Sequence, residues 1–415
     1  MSILLYRAKQ LLTCKPVNGK FKRKSELNDL GVFEDISVII EDEKIIDLSL
    51  SKDFDFSNFD LVIDCRNNIV MPGLIDPHTH LIFAGSRSDE FEMRVAGKSY
   101  EEISQKGGGI LKTVEATRKA SKEELIKLSI ERLKEALSFG ITTLEIKSGY
   151  GLDYDNEIKM LECLKDLIDI QPIEIIPTFL GAHTIPKEFQ NNRAGYIDLI
   201  TKKLIPEISN KNLAKFCDVF LEKTAFSVEE TKTILEIARK FNLYLKLHCD
   251  QFNSLGGVKL GIDLCVKSLD HLEMITDEDI KILSQTDIAA IILPGVSYFL
   301  KIPFTRARKM IDEGCIISIG TDFNPGSCTS QNLPLIMNMA TLYNGMKLSE
   351  TINAVTINAA YALGIEEKAG SLEIGKQADI LVLETSNYKD LVYYFGKNFT
   401  KTVIKKGKVV YERNN

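Results

Sequence analysis

The chain holds only five histidines, and two of them stand one residue apart in MPGLIDPHTHLIFAGSRSDEF, residues 71–91. In a strand, residues i and i+2 project to the same side. His78 and His80 would therefore leave a strand end together, an arrangement that suits a shared metal ion and little else. His183, His248 and His271 each lie at or just past the end of a short apolar run. The segment SIGTDFNPG sets Asp322 behind another such run, where a cation opposite would relieve the cost of desolvating its carboxylate. His78, His80, His248 and Asp322 together offer three nitrogens and one oxygen, with room left for a water. That is the open donor set of a hydrolytic Zn²⁺ or Fe²⁺ centre. Such an ion lowers the pKa of water and polarises a carbonyl, and Asp322 can accept the water's proton. Blander readings stand beside two of these residues: a hydrogen-bonded core histidine for His271, and a loop cap for His183.

These side chains need elements that bring distant segments to one place. Eight strand candidates run from residue 68 to 322: NIVMPGLIDPH, ITTLEIK, IEIIPTF, AKFCDVFLE, LYLKLHC, KSLDHL, IAAIILPG and CIISIGTD. Helical patterns alternate with them. In SKEELIKLSIERLKEALSFG, Leu125, Leu128, Leu133 and Leu137 share one helical face, with Ser121 as N-cap and Gly140 closing the C-terminus. In SVEETKTILEIARKFN, Ser227 and Glu230 have capping-box spacing. Strands alternating with helices imply parallel pairing, and eight such units imply a (β/α)₈ barrel. An open doubly wound sheet is the alternative, but no GxGxxG follows the first strand. KGGGIL, residues 106–111, reads as a flexible loop. Residues 1–70 and 366–415 are β-type in sequence, and neither has enough strands to bury a sheet face alone. The expected organisation is one small β-sandwich made from both termini around a barrel spanning 71–365.

Composition narrows the function classes. With 52 basic and 58 acidic residues the formal charge is −6, so no basic field for nucleic acid exists. Lys20 to Lys24 reads as a solvated loop. No apolar stretch reaches the ~20 residues of a membrane span, and the first residues lack a signal-cleavage pattern. Eight scattered cysteines without a CxxC pair suit a reduced, cytoplasmic protein.

PGLIDPHTH, the histidine ending the fifth strand, DHLE and GTDFNPGS, in this order, resemble the amidohydrolase superfamily, and GSLEIGKQADILVL resembles its re-entry into the small β-domain. The fourth strand candidate ends without the lysine of carboxylated, binuclear members, with Lys223 just beyond it. The resemblance therefore implies a mononuclear centre. HTHLIFAGSRSDEF, EIKSGYGL, FLGAHTIP, HCDQF with LGG, and TDFNPGSCTS are similar to the imidazolonepropionase family within it. That resemblance implies hydrolytic opening of the ring of 4-imidazolone-5-propanoate to N-formimino-L-glutamate, and a homodimer. It assigns Arg87 to the substrate carboxylate, with a salt bridge to Asp89 or Glu90 as the alternative. Tyr150 and His183 would line the ring and tail, and Asn324, Gly326 and Ser327 would border the substrate. Asp322 and His271 would move protons and stabilise the oxyanion. Related deaminases carry a glutamate three residues after the fifth-strand histidine; here Gln251 stands there, able to hydrogen-bond a ring but not to shuttle a proton. An idle scaffold would have lost ligands, and none is lost.

Overall fold

The computed structural model describes residues 1–50, 53–98 and 108–413. Eight parallel strands follow one another in sequence order around a barrel: β1 (Leu74–Asp76), β2 (Ile141–Lys147), β3 (Glu174–Ala182), β4 (Phe216–Val219), β5 (Tyr244–Cys249), β6 (Ser268–His271), β7 (Ala289–Ile292) and β8 (Ile316–Ile319). All eight strand candidates are present. Helices between them follow the expected chemistry. Ser121 caps Lys122–Ser138 by accepting from the Glu124 N–H, and Gly140 (φ +86°) turns the chain past its end. Ser227 and Glu230 form a reciprocal capping box on Val228–Lys240. In KGGGIL, Lys106 and Gly107 lie outside the described residues; Gly109 (φ +89°) opens the helix Ile110–Lys119.

The first strand candidate breaks at Gly73. Ile69–Pro72 pairs antiparallel with Ile380–Leu383 outside the barrel, while Leu74–Asp76 enters it as β1. A Cβ at Gly73 would stand 2.2 Å from Thr142 Oγ1, so the crossing is too tight for a larger residue. The N-terminal run SILLYRAKQLL divides likewise. Ser2–Ala8 joins a four-stranded sheet, and Gln10–Leu12 joins a six-stranded one that also contains Ile380–Leu383, Thr400–Lys405 and Lys408–Glu412. Ile3, Leu5, Val38, Val70, Ile380 and Ile404 fill one buried cluster, so both chain ends build a common core.

The barrel's first and last strands meet just beyond their regular ends. The Asp322 N–H donates to the His78 carbonyl at 3.0 Å, and the His80 N–H donates to the Phe323 carbonyl at 2.9 Å. One turn below, the Asp76 carboxylate accepts from Thr321 N–H (3.1 Å) and Thr321 Oγ1 (2.6 Å). Burial raises the Asp76 pKa to about 6 despite these donors. Thr321→Val removes the hydroxyl donor from this buried carboxylate and is expected to destabilise the fold by about 1–3 kcal/mol, measured by urea denaturation at pH 7.5.

Candidate active site

All five histidines converge at the C-terminal mouth of the barrel, where loops after the strands form the reactive face of such folds. His78 and His80 follow β1, His183 follows β3, and His248 and His271 end β5 and β6. The His78 and His248 rings are 4.5 Å apart, and His80 lies 5.5 Å from His78 and 5.6 Å from His248. Asp322 Oδ1 stands 3.3 Å from Nε2 of both His78 and His80. Donor atoms of His78, His80 and Asp322 all lie within 4.8 Å of one another, and so do those of His78, His248 and His271. The four expected ligands thus fall in two triads that share His78. His271, expected to act on protons, also stands at ligand distance.

Nε2 of His78 and of His248 and Oδ1 of Asp322 are buried with no hydrogen-bond partner among the described residues. Buried polar atoms are normally satisfied. A cluster of imidazole nitrogens facing one anionic oxygen therefore fits a divalent cation. Asn324 and Ser327 fix which oxygen is left free. Asn324 Nδ2 and Ser327 Oγ donate to Asp322 Oδ2 at 2.8 and 2.9 Å, while Asn324 Oδ1 accepts from the N–H groups of Gly326 and Ser327. Burial alone would raise the Asp322 pKa, but His78 and His80 outweigh it and hold the carboxyl well below its ordinary range. Burial drives His80, His183 and His248 the other way, toward the neutral imidazole a metal needs.

Beneath the histidines lies a charged layer that sequence reasoning missed. Lys147 Nζ is 2.8 Å from both Glu145 and Asp218, and Lys246 Nζ is 2.8 Å from Glu145 and 3.3 Å from Asp270. All five side chains are fully buried. Asp270 Oδ2 then accepts from His78 Nδ1 at 2.7 Å, and Asp218 Oδ2 lies 2.9 Å from His248 Nδ1. Carboxylates behind metal-binding imidazoles fix the tautomer and aim Nε2 outward. The signal was present: ITTLEIK sets Glu145 and Lys147 two residues apart within an apolar strand, and FCDVF, LYLKLHC and SLDH each place one acid or lysine in such a strand. Asp250, in contrast, turns away from the ligands and accepts from Ser254 Oγ. Burial and the nearby Asp279 raise its pKa to about 6.

A cavity of about 630 Å³ opens above this cluster, lined by His80, His183, Tyr150, Gln251, Asn324 and the Arg87 region among others. Tyr150 is buried there, not exposed as a loop residue between glycines would be, and its ring lies 6.0 Å from His80 and 5.5 Å from His183. His183 donates Nδ1–H to the Gly149 carbonyl at 3.0 Å. Both readings of Arg87 meet in one geometry. It pairs with Glu90 at 2.7 Å, but in the pocket wall, while Asp89 pairs with Lys112. A Cβ on Gly326 would sit 2.0 Å from Arg87 Nη1, so glycine there makes room for the guanidinium. Lys223 is exposed, and its neighbour Glu222 faces the cavity instead.

This fold and site define a class: the amidohydrolase family pattern matches residues 69–410, and the chain belongs to that family. Its similarity to full-length relatives is closer still. It is 41% identical to an imidazolonepropionase of Clostridium tetani over 100% of this chain and 99% of the relative. It is 42% identical to one of Alkaliphilus oremlandii over 98% and 97%. Among solved structures, a triazine hydrolase variant superposes with a TM-score of 0.78 at 16% identity, covering 99% of this chain and 95% of that one. An adenosine deaminase from Xanthomonas campestris gives 0.72 at 16%, over 98% and 92%. At that identity these two speak to the fold alone.

Because the folded pKa of Asp250 is raised, the fold favours its protonated form, and its ionisation costs stability as pH rises from about 4 through about 6. Asp250→Asn should therefore stabilise the protein above pH 6 by on the order of 1–3 kcal/mol. That gain should fade below pH 4, which denaturant titrations across pH will show.

Proposed function

We propose that the chain hydrolyses the ring C–N bond of 4-imidazolone-5-propanoate to give N-formimino-L-glutamate, with one Zn²⁺ or Fe²⁺/Fe³⁺ ion per chain. It is a hydrolase acting on a cyclic amide. The observation that carries the reading is the polarity of one cavity, with unpartnered imidazole and carboxylate atoms in its floor and arginine in its wall. A flat ring bearing a carboxylate tail matches both. His78, His80, His248 and Asp322 would hold the ion. A single ion is favoured because the ammonium groups of Lys147 and Lys246 already lie among Glu145, Asp218 and Asp270.

Arg87 offers its planar fork to the propionate tail. Tyr150 and His183 flank the ring, Gln251 hydrogen-bonds its edge, and Gly326 leaves room for the Arg87 guanidinium that meets the tail. When bound, the divalent ion supplies Lewis acidity, lowering the pKa of water and polarising the ring carbonyl. Asp322 Oδ1 takes the proton of the attacking water, while Asn324 and Ser327 keep Oδ2 occupied. His271 faces the carbonyl oxygen as negative charge develops. The carbonyl carbon gains the water's oxygen, its bond to the ring nitrogen breaks, and Asp322 returns the proton to that nitrogen.

Gln251 disfavours the deaminase reading, since an amide cannot carry a proton to departing ammonia. Eight unpaired cysteines support a reducing, cytoplasmic setting. A homodimer is the proposed assembly, with exposed Tyr393, Tyr394 and Phe395 as an apolar face for it. No helix among the described residues is long and apolar enough to cross a membrane.

Purified protein should contain one metal ion per chain by elemental analysis. Adding it to 4-imidazolone-5-propanoate should abolish the imidazolone absorbance without releasing ammonia; ammonia release would favour the deaminase. Chelation should stop turnover, and Asp322→Ala should lower kcat by about a hundred- to ten-thousandfold.

A further inference from the structure

Arg87 is not a free cation. Its Nε and Nη2 both point at Glu90 Oε2, at 2.9 and 2.7 Å, and the other Glu90 oxygen accepts from the Gly109 N–H at 3.0 Å. Glu90 is almost fully buried, so this pair presents little net charge to a ligand. A carboxylate docking on Arg87 alone would also face the Glu90 anion. A second arginine stands beside it. Arg94, two turns along the helix Ser88–Val95, lines the same cavity. Its Nη2 reaches the Gly326 carbonyl at 3.3 Å, and its guanidinium carbon lies 5.1 Å from the centre of the Phe299 ring. Arg94 has no carboxylate partner among the described residues. Burial and the neighbouring Arg87 work against its charged form, while Glu90 favours it. Among the described residues of this part of the wall, two guanidiniums and the Glu90 carboxylate leave one positive charge in excess, equal and opposite to a single carboxylate tail.

We infer that Arg94 is the specificity-determining residue for the substrate's carboxylate: it supplies the uncompensated charge, while Arg87, held by Glu90, supplies orientation. The inference rests on the proposed function for the identity of the tail, but the charge argument holds for any ligand combining a flat ring with one carboxylate. It excludes ring compounds with neutral tails as good substrates.

The test compares wild type, Arg94→Gln and Arg94→Lys on 4-imidazolone-5-propanoate and on its tail carboxamide. Calorimetric binding of 3-(imidazol-4-yl)propionate, an unreactive probe with the same ring-and-carboxylate layout, runs in parallel. Arg94→Gln should raise KM for the carboxylate substrate and weaken probe binding about tenfold or more, with kcat changed less than about threefold. Arg94→Lys should recover part of that loss, and the carboxamide should not distinguish Arg94→Gln from wild type. An unchanged KM and probe affinity in Arg94→Gln would overturn the inference. So would equal losses on carboxylate and carboxamide, the mark of a merely structural residue. Wild type that binds the probe through Arg94 yet leaves the imidazolone intact would sink the functional reading and spare the inference.

Discussion

Asp322 reaches the histidines only because the barrel closes, and the closing contacts are made by the backbone of these same residues. The His78 carbonyl and the His80 N–H bond across to Asp322 and Phe323. Spacing between the paired imidazoles and the carboxylate is therefore inherited from the register of the first strand against the eighth. A slip of one residue would send Asp322 to the opposite face. The seam is short, since β1 has three residues and β8 four. Asp76, buried and shared between Thr321 N–H and Oγ1, reinforces it directly below the site. Asp322 itself sits at φ +54°, a conformation aspartate tolerates better than most residues. The fold bears that local cost where the Asp322 carboxylate must turn toward the histidines.

The layer under the histidines departs from the branched aliphatic filling usual in such barrels. Burying five charges is expensive, and the expense is offset only because each ammonium lies between carboxylates and each carboxylate has a hydrogen-bonding partner. Removing one member would strand the others without water. What this layer gives the site is orientation. With Asp270 on His78 Nδ1 and Asp218 beside His248 Nδ1, both rings turn Nε2 toward the mouth. The orientation of the two imidazoles and the placement of two buried ammonium groups among three carboxylates thus belong to one network.

Much of this was legible in the sequence because the barrel repeats a simple pattern, and chemistry sits where apolar runs stop. The eight strands and the convergence of His78, His80, His183, His248, His271 and Asp322 follow from that alone. Other features needed coordinates. Pro72-Gly73 in NIVMPGLIDPH marks a change of character in the sequence, but only the close crossing of Thr142 shows that one apolar run is split there between two sheets. Asp250 and Asp270 each neighbour a key histidine, yet one is turned away and the other bonds His78. Strict strand alternation would send Asp270 and His271 to opposite faces. A φ of +84° at His271 turns both inward, a local irregularity no periodicity announces. Arg87 showed a salt bridge or a binding role in sequence, and only burial reveals that the two coexist.

Three carboxylates line the cavity among the described residues: Glu90, Glu222 and Asp322. Glu90 is held by Arg87 and Gly109. Glu222 accepts from the N–H groups of Lys223, Phe252 and Asn253 and from Asn253 Nδ2, so both its oxygens are committed to shaping the loop after β5. Asp322 alone keeps an oxygen facing the reacting volume. Deamination must carry protons both to the ring and to ammonia that departs, and one carboxylate serves that poorly without an acid at the Gln251 position. Ring opening asks less: the leaving nitrogen stays tethered, and a single proton travels from the attacking water to it. A pocket with one available carboxylate and an amide opposite is matched to that smaller demand.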